Sequence, residues 1–162
     1  MSRLDSFIRR LEAQRSVLNW AADSIAGLEG RVLELGLGNG RTYDHLRERL
    51  AGRQIHVFER DPSPNPASMP PPHLLVVGEM EKTLPDFASR YGAVAILIHV
   101  DVTTGVPERD IIAFAWLPDH VAALASTGCL IVTGWPFDHP AFEALPLPDD
   151  VPEGRYFIYR RR

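Results

Sequence analysis

The sequence predicts an α/β protein built on a mostly parallel sheet of about six strands, with an antiparallel strand at its C-terminal edge. Three observations lead there. Short apolar runs of strand type, such as Val32 to Leu35, Gln54 to Phe58 and Ala93 to Val100, alternate along the chain with segments whose apolar residues recur at helical spacing. The first of these runs is followed at once by three alternating glycines and then by a helical pattern. With 162 residues, 45% hydrophobic and 23% charged, the chain has the composition of an ordinary globular domain and the length to bury a core.

Taken in order, residues 1–30 carry Leu4, Phe7, Ile8, Leu11, Val17, Leu18, Ala21, Ala22 and Ile25, which predict one or two amphipathic helices closed by Gly27 and Gly30. Val32, Leu33 and Leu35 form a buried strand. A helix begins near Asn39 or Arg41, since Tyr43, Leu46 and Leu50 recur at helical spacing and Thr42 or Asn39 can cap its free amides. Gln54 to Phe58 is a second strand ending at Glu59. Pro62, Pro64, Pro66, Pro70, Pro71 and Pro72 then exclude a regular crossover helix, although parallel strands still need a connection of about a dozen residues. An extended, partly polyproline crossover is expected. It leaves that sheet edge thinly covered and makes it a candidate subunit contact.

A third strand, Leu74 to Val77, runs into Gly78, Glu79 and Met80. Thr83 and Pro85 mark a helix start, and the apolar run to Val100 reads as a central strand buried on both faces. Pro107 opens another helix with Ile111, Ile112, Ala115, Trp116, Val121 and Leu124 inward and a kink at Pro118. Cys129 to Thr133 is the fifth strand. Tyr156 to Tyr159 has strand character with no helix before it, hence the antiparallel edge placement. The whole reads as one domain over 1–162, without repeats: a helical region 1–30, a ligand-binding core 31–135, and a Pro-rich segment with the last strand over 136–162.

Function is concentrated in Arg31 to Arg41, RVLELGLGNGR. Strand, glycine turn and helix N-terminus together make a nucleotide-type site. A dinucleotide fingerprint needs G-x-G-x-x-G, and counting from Gly36 the last position is Arg41, so that pattern fails; a phosphate loop with G-K-[ST] is absent too. Glu34, two residues before the first glycine, would repel a pyrophosphate and favour a ligand with a cationic amino group. S-adenosylmethionine, with an ammonium and a sulfonium and no phosphate, is such a ligand. About twenty residues past the turn, Glu59 stands where parallel α/β sites place an acid for ribose hydroxyls.

The run Glu34-Leu-Gly36-Leu-Gly38-Asn-Gly40 resembles the first motif of class I S-adenosylmethionine-dependent methyltransferases. More narrowly, GNGRTYDHLRE, GEMEKTLP, LIHVDV and ALPLP are similar to a small family of short bacterial methyltransferases. The resemblance implies a Rossmann-like fold and S-adenosylmethionine as cofactor, held by Glu34, Gly36, Leu37, Gly38, Asn39, Gly40 and Thr42. It further implies Glu59 on the ribose, Gly78, Glu79 and Met80 around the adenine, and His99 among the cofactor-binding residues, with Asp101 a candidate to orient His99, hold the substrate or contact the cofactor's methionine portion. Arg60 stands where an apolar residue often covers the other adenine face, so a stacked guanidinium or a different pocket is implied there.

Methyl transfer is an in-line displacement, in which the protein aligns the nucleophile and takes up its proton. The strand ends supply His99, the candidate base, and Asp101, with Trp135, Asp138 and His139 as candidate substrate-pocket residues. No metal is expected, and no Asn-Pro-Pro-Tyr segment or catalytic cysteine pair is present. The expected activity is methyl transfer to a small-molecule nucleophile; the alternatives are a non-catalytic S-adenosylmethionine-binding module or partner subunit and, against Arg41 and Glu34, a nicotinamide dehydrogenase.

The net charge of -4 argues against broad capture of nucleic acid or an anionic membrane. The N-terminus lacks the unbroken apolar core of a signal peptide, and the longest apolar run is too short to span a bilayer. Cys129 is the sole cysteine, which excludes an intramolecular disulfide. These point to a cytoplasmic protein, with homo-oligomer formation expected at the thinly covered edge.

Overall fold

A computed structural model of the chain describes residues 2–104 and 106–162. Its elements are α1 (Arg3–Ser24), β1 (Arg31–Leu35), α2 (Arg41–Arg49), β2 (Ile55–Glu59), β3 (Leu75–Val77), α3 (Met80–Tyr91), β4 (Ala95–Val100), α4 (Pro107–Ala113), α5 (Leu117–Leu124), β5 (Ala125–Thr133), β6 (Phe142–Leu145) and β7 (Phe157–Arg161). They build one seven-stranded sheet in the order β3-β2-β1-β4-β5-β7-β6. β1 to β5 pair in parallel, and β7 is antiparallel to both β5 and β6. The last strand thus has the expected direction but lies inside the sheet; the edge is β6, a short strand the sequence reading did not assign.

Helices cover both faces. On one, Val17, Leu18, Ala21 and Ile25 of α1 and Tyr43 and Leu46 of α2 pack on Val32, Val57, Leu97 and Val132. On the other, Leu84 and Phe87 of α3 and Leu117, Val121 and Leu124 of α5 pack on Leu33, Leu35, Phe58, Ile98 and Ile131. The sheet order reverses between β1 and β4, and the crevice at the carboxyl ends of such strands is where open α/β sheets receive ligands.

Several local expectations are corrected. The N-terminal region is one helix, within the one or two expected and started by Ser2 and Asp5 in a reciprocal capping box, but Leu4, Phe7 and Ile8 in its first turns are exposed rather than inward. α3 begins at Met80 and carries Pro85 in its interior, because burial of Leu84 and Phe87 outweighs the lost backbone bond. The segment after Pro107 is two helices, with Pro118 in the first turn of α5 in place of a kink, and Ile111 and Ile112 face solvent. Residues 134–141, joining β5 to β6, contain no helix; Trp135 and Phe137 cover the sheet face there instead.

The Pro-rich crossover has no regular helix; it is extended apart from a 3-10 turn at Pro66–Ser68 and a turn before β3, where the Leu74 amide donates to the Pro71 carbonyl at 2.9 Å. Among the described residues no helix is long and apolar enough to cross a membrane. Cys129 is a buried thiol with its pKa pushed up by burial.

Candidate functional site

The glycine turn is held from both sides. Gly36 has φ 95°, and a Cβ there would stand 2.9 Å from the Asp101 carbonyl oxygen, so the loop after β1 can lie against the end of β4 only without a side chain. Gly40 has φ 85° and is the N-cap residue of α2; a Cβ on it would meet Ser68 Cβ at 2.6 Å, which explains how the Pro-rich crossover packs on the turn. Neither Asn39 nor Thr42 caps α2. The Asn39 carbonyl instead accepts the Asn65 amide at 3.1 Å.

Glu59, at the end of β2, ties the turn to the sheet. Its Oε2 accepts the amides of Leu37 at 2.9 Å and Gly38 at 3.2 Å, and its Oε1 those of Arg60 at 2.8 Å and Asp61 at 3.3 Å. Partial burial pushes the carboxyl up, but the four amide donors outweigh this and hold it below the usual carboxylate range. Leu37 contributes its amide alone, its side chain being buried against α1 and α2.

Glu34 is placed otherwise than the sequence suggested. It is fully buried, accepts the Thr42 hydroxyl on Oε1, and lies with Oε2 2.7 Å from His99 Nδ1. His99 is also fully buried and stacked on Tyr156, with Nε2 free of hydrogen-bond partners. Glu34, Thr42 and His99 therefore join α2, β1 and β4 behind the site and line neither of its cavities. A general base must reach the proton it removes, and a histidine with no exposed surface does not.

Two cavities open at the carboxyl ends of the strands. The first, about 490 Å³, is lined by Gly36, Gly38, Glu59, Arg60, Glu79, Met80, Glu81, Asp101, Val102, Thr103, Ala113, Phe114 and Trp116. Four carboxylates face one guanidinium, and that guanidinium lies 3.8 Å from Glu79. A Cβ on Gly38, which lines this space, would meet no protein atom within 4 Å. Gly78, at φ 143°, lets the chain turn from β3 into α3 beside Glu79.

The second cavity, about 210 Å³, is lined by Arg10, Asp101, Val102, Thr103, Asp110, Trp135, Arg155 and Tyr156, with Val100, Gly134 and Gly154 completing it. Asp101, Val102 and Thr103 border both cavities, so the spaces adjoin along the segment after β4. Trp135 donates its indole N–H to the Val102 carbonyl at 3.2 Å, and Arg10 approaches Asp101 at 3.6 Å. Asp138 and His139 lie apart from both: Asp138 is exposed, and His139 pairs with Asp119 at the start of α5, because the extended chain after Trp135 runs down the sheet face. Sequence reasoning missed Arg10, Phe114, Arg155 and Tyr156. The first two had no signal apart from helical spacing, whereas the charged Arg155 directly before an aromatic strand offered one.

The acidic cavity, its glycine wall and the carboxylate at the end of β2 are features of an α/β protein suited to a nucleoside-type ligand with positive charge in place of phosphate. Residues 1–161 match the family model described as S-adenosyl-L-methionine methyltransferase, and the chain belongs to that family. It is similar to an S-adenosyl-L-methionine methyl transferase from Silicibacter pomeroyi DSS-3, with 42% identity over 100% of this chain and 99% of the other and a TM-score of 0.95. At the level of fold it also resembles cofactor-bound Rv0187 from MTB, with 18% identity over 98% and 88% of the two chains and a TM-score of 0.62. An O-methyltransferase from Bacillus cereus in complex with SAH is similar in the same sense, with 12% identity over 100% and 82% and a TM-score of 0.57. Among curated protein sequences nothing matches.

Proposed function

We propose that the chain transfers the methyl group of S-adenosylmethionine to a small-molecule nucleophile, with the cofactor in the larger cavity and the acceptor in the smaller. The observation that supports this reading is the border the cavities share at Asp101, Val102 and Thr103, since a displacement in line requires donor and acceptor in adjoining spaces. The cofactor supplies an electrophilic methyl group on a sulfonium. Gly36 and Gly38 let the backbone approach it, and Glu59 takes the ribose hydroxyls.

Because the oxygens of Glu59 already hold four amides, the diol is received by sharing or releasing some of those bonds. Glu79, Met80, Arg60, Phe114 and Trp116 surround the adenine. Asp101 on the shared border and Arg10, which lines the smaller cavity 3.6 Å from it, suit the two ends of an amino-acid group. Of the two carboxylates lining the acceptor cavity, Asp110 has both oxygens engaged by Thr103 and Thr104, so Asp101 replaces His99 as the group able to take a proton there.

Thermal melts with S-adenosylhomocysteine and NADH in parallel test the reading. At about a hundredfold excess over Kd, a ligand bound only by the folded state adds roughly 2.7 kcal/mol. Stabilisation by S-adenosylhomocysteine alone is expected, and stabilisation by NADH alone overturns it. A cytoplasmic setting belongs to the same reading. Self-association is assigned to the β3 edge, where Met69 and Val77 are exposed, and a strictly monomeric species in sedimentation overturns that assignment.

A further inference from the structure

We infer that the methyl acceptor is a small organic acid whose carboxylate is bound by Arg155 in the 210 Å³ cavity. The inference rests on the methyltransferase reading above and adds the chemistry of the second ligand. Arg155 is half-buried at the turn into β7, next to Gly154 at φ 75°, with its own amide on the Pro152 carbonyl at 3.3 Å. Among the described residues its guanidinium has no hydrogen bond and no ion pair. A partly desolvated cation with five donors in a planar fork calls for an acceptor, and a carboxylate matches that fork with two parallel bonds.

The other charged groups of the cavity are engaged. Asp110 is 2% exposed, with Oδ1 on the Thr104 amide at 2.6 Å and Oδ2 on the Thr103 hydroxyl at 2.7 Å. Asp101 faces Arg10. Two arginines against two aspartates make the charged lining neutral, so a single negative charge is received by the unpartnered Arg155, whereas a dianion would be set against both aspartates in a confined space. The chamber is smaller than sites for drug-sized ligands, and Trp135 and Tyr156, both buried, give it aromatic walls. A monocarboxylate attached to a flat or short apolar body fits these constraints.

The test uses the full chain saturated with S-adenosylhomocysteine and titrated calorimetrically with benzoate, with its neutral isostere benzamide, and with phenyl phosphate. Benzoate is expected to bind about tenfold more tightly than benzamide, the scale of one charge-assisted pair, and Arg155→Gln should erase that preference while keeping the melting temperature and the affinity for S-adenosylhomocysteine. Equal binding of benzoate and benzamide, no binding of benzoate, a preference that survives Arg155→Gln, or tighter binding of phenyl phosphate each overturns the inference. Failure of S-adenosylhomocysteine itself to bind would instead remove the methyltransferase reading beneath it.

Discussion

His99 Nδ1 lies 2.7 Å from Glu34 Oε2, and neither side chain has any exposed surface. The acid that precedes the glycine turn is thus turned into the protein, where it joins β1 to β4 and, through Thr42, to the first turn of α2. Its influence on the ligand is positional. The negative field of the cofactor cavity comes from Glu59, Glu79, Glu81 and Asp101, which line it directly.

This pair predicts a pH-dependent stability with a definite sign. Burial pushes the His99 imidazole down, but the charge and hydrogen bond of Glu34, with Asp101 further off, leave it raised above its ordinary value of 6.5. A raised folded-state pKa gives stabilisation that is complete below the unfolded value and is lost as pH climbs through the folded one. Glu34→Gln is therefore expected to cost about 3–5 kcal/mol in urea unfolding at about pH 6, as removal of one partner of a buried pair does. The difference from the natural chain should shrink toward alkaline pH. A difference that stays constant across that range refutes the pair as a charged one.

How much of this was legible in the sequence follows the range of the interactions. The glycine turn, the strand ending at Glu59 and the Pro-rich crossover were readable because each depends on neighbours within a few residues. Glu34 was readable as an acid near a ligand but not in its direction, since only the register that sets it beside His99 turns it inward. Asp138 and His139 were misplaced for a similar reason: residues 134–141 form no helix, and the chain leaves the strand ends sooner than the usual αβ crossover does. β6 escaped notice because a four-residue strand with a mixed pattern carries no periodicity.

Glu59 holds the loop geometry and is proposed to take the ribose hydroxyls, so Glu59→Gln should remove both. A carboxamide offers one acceptor oxygen where four amide donors converge, and its own N–H groups would face the rest. The roughly 2.7 kcal/mol stabilisation expected from excess S-adenosylhomocysteine should fall close to zero in thermal melts. A shift equal to that of the natural chain would exclude Glu59 from the ribose.

The four carboxylates of the larger cavity predict a salt effect that separates two nearly identical ligands. S-adenosylmethionine carries one positive charge more than S-adenosylhomocysteine, and charge alone should favour it at low ionic strength. Between about 0.01 M and 1 M salt the screening length falls from about 30 Å to 3 Å. Calorimetry should show the ratio of the two affinities declining several-fold across that range. A ratio independent of salt would mean that the acidic lining does not select the sulfonium.

Gly36 and Gly38 separate folding from binding. Gly36→Ala sets a methyl 2.9 Å from the Asp101 backbone oxygen at φ 95°, so β1 and β4 must part locally; a loss of about 1–3 kcal/mol is expected, with weaker binding of S-adenosylhomocysteine as a consequence. Gly38 has φ 48°, within the left-handed region that alanine enters at a cost of about 1–2 kcal/mol, and no protein atom stands in the way of its Cβ. The methyl of Gly38→Ala would occupy the cavity itself. Its stability loss should be the smaller of the two, and its loss of affinity for S-adenosylhomocysteine the larger in proportion. Urea unfolding and calorimetry on both variants decide the matter: if Gly38→Ala binds the ligand as well as the natural chain does, the glycine wall is not where the ligand rests.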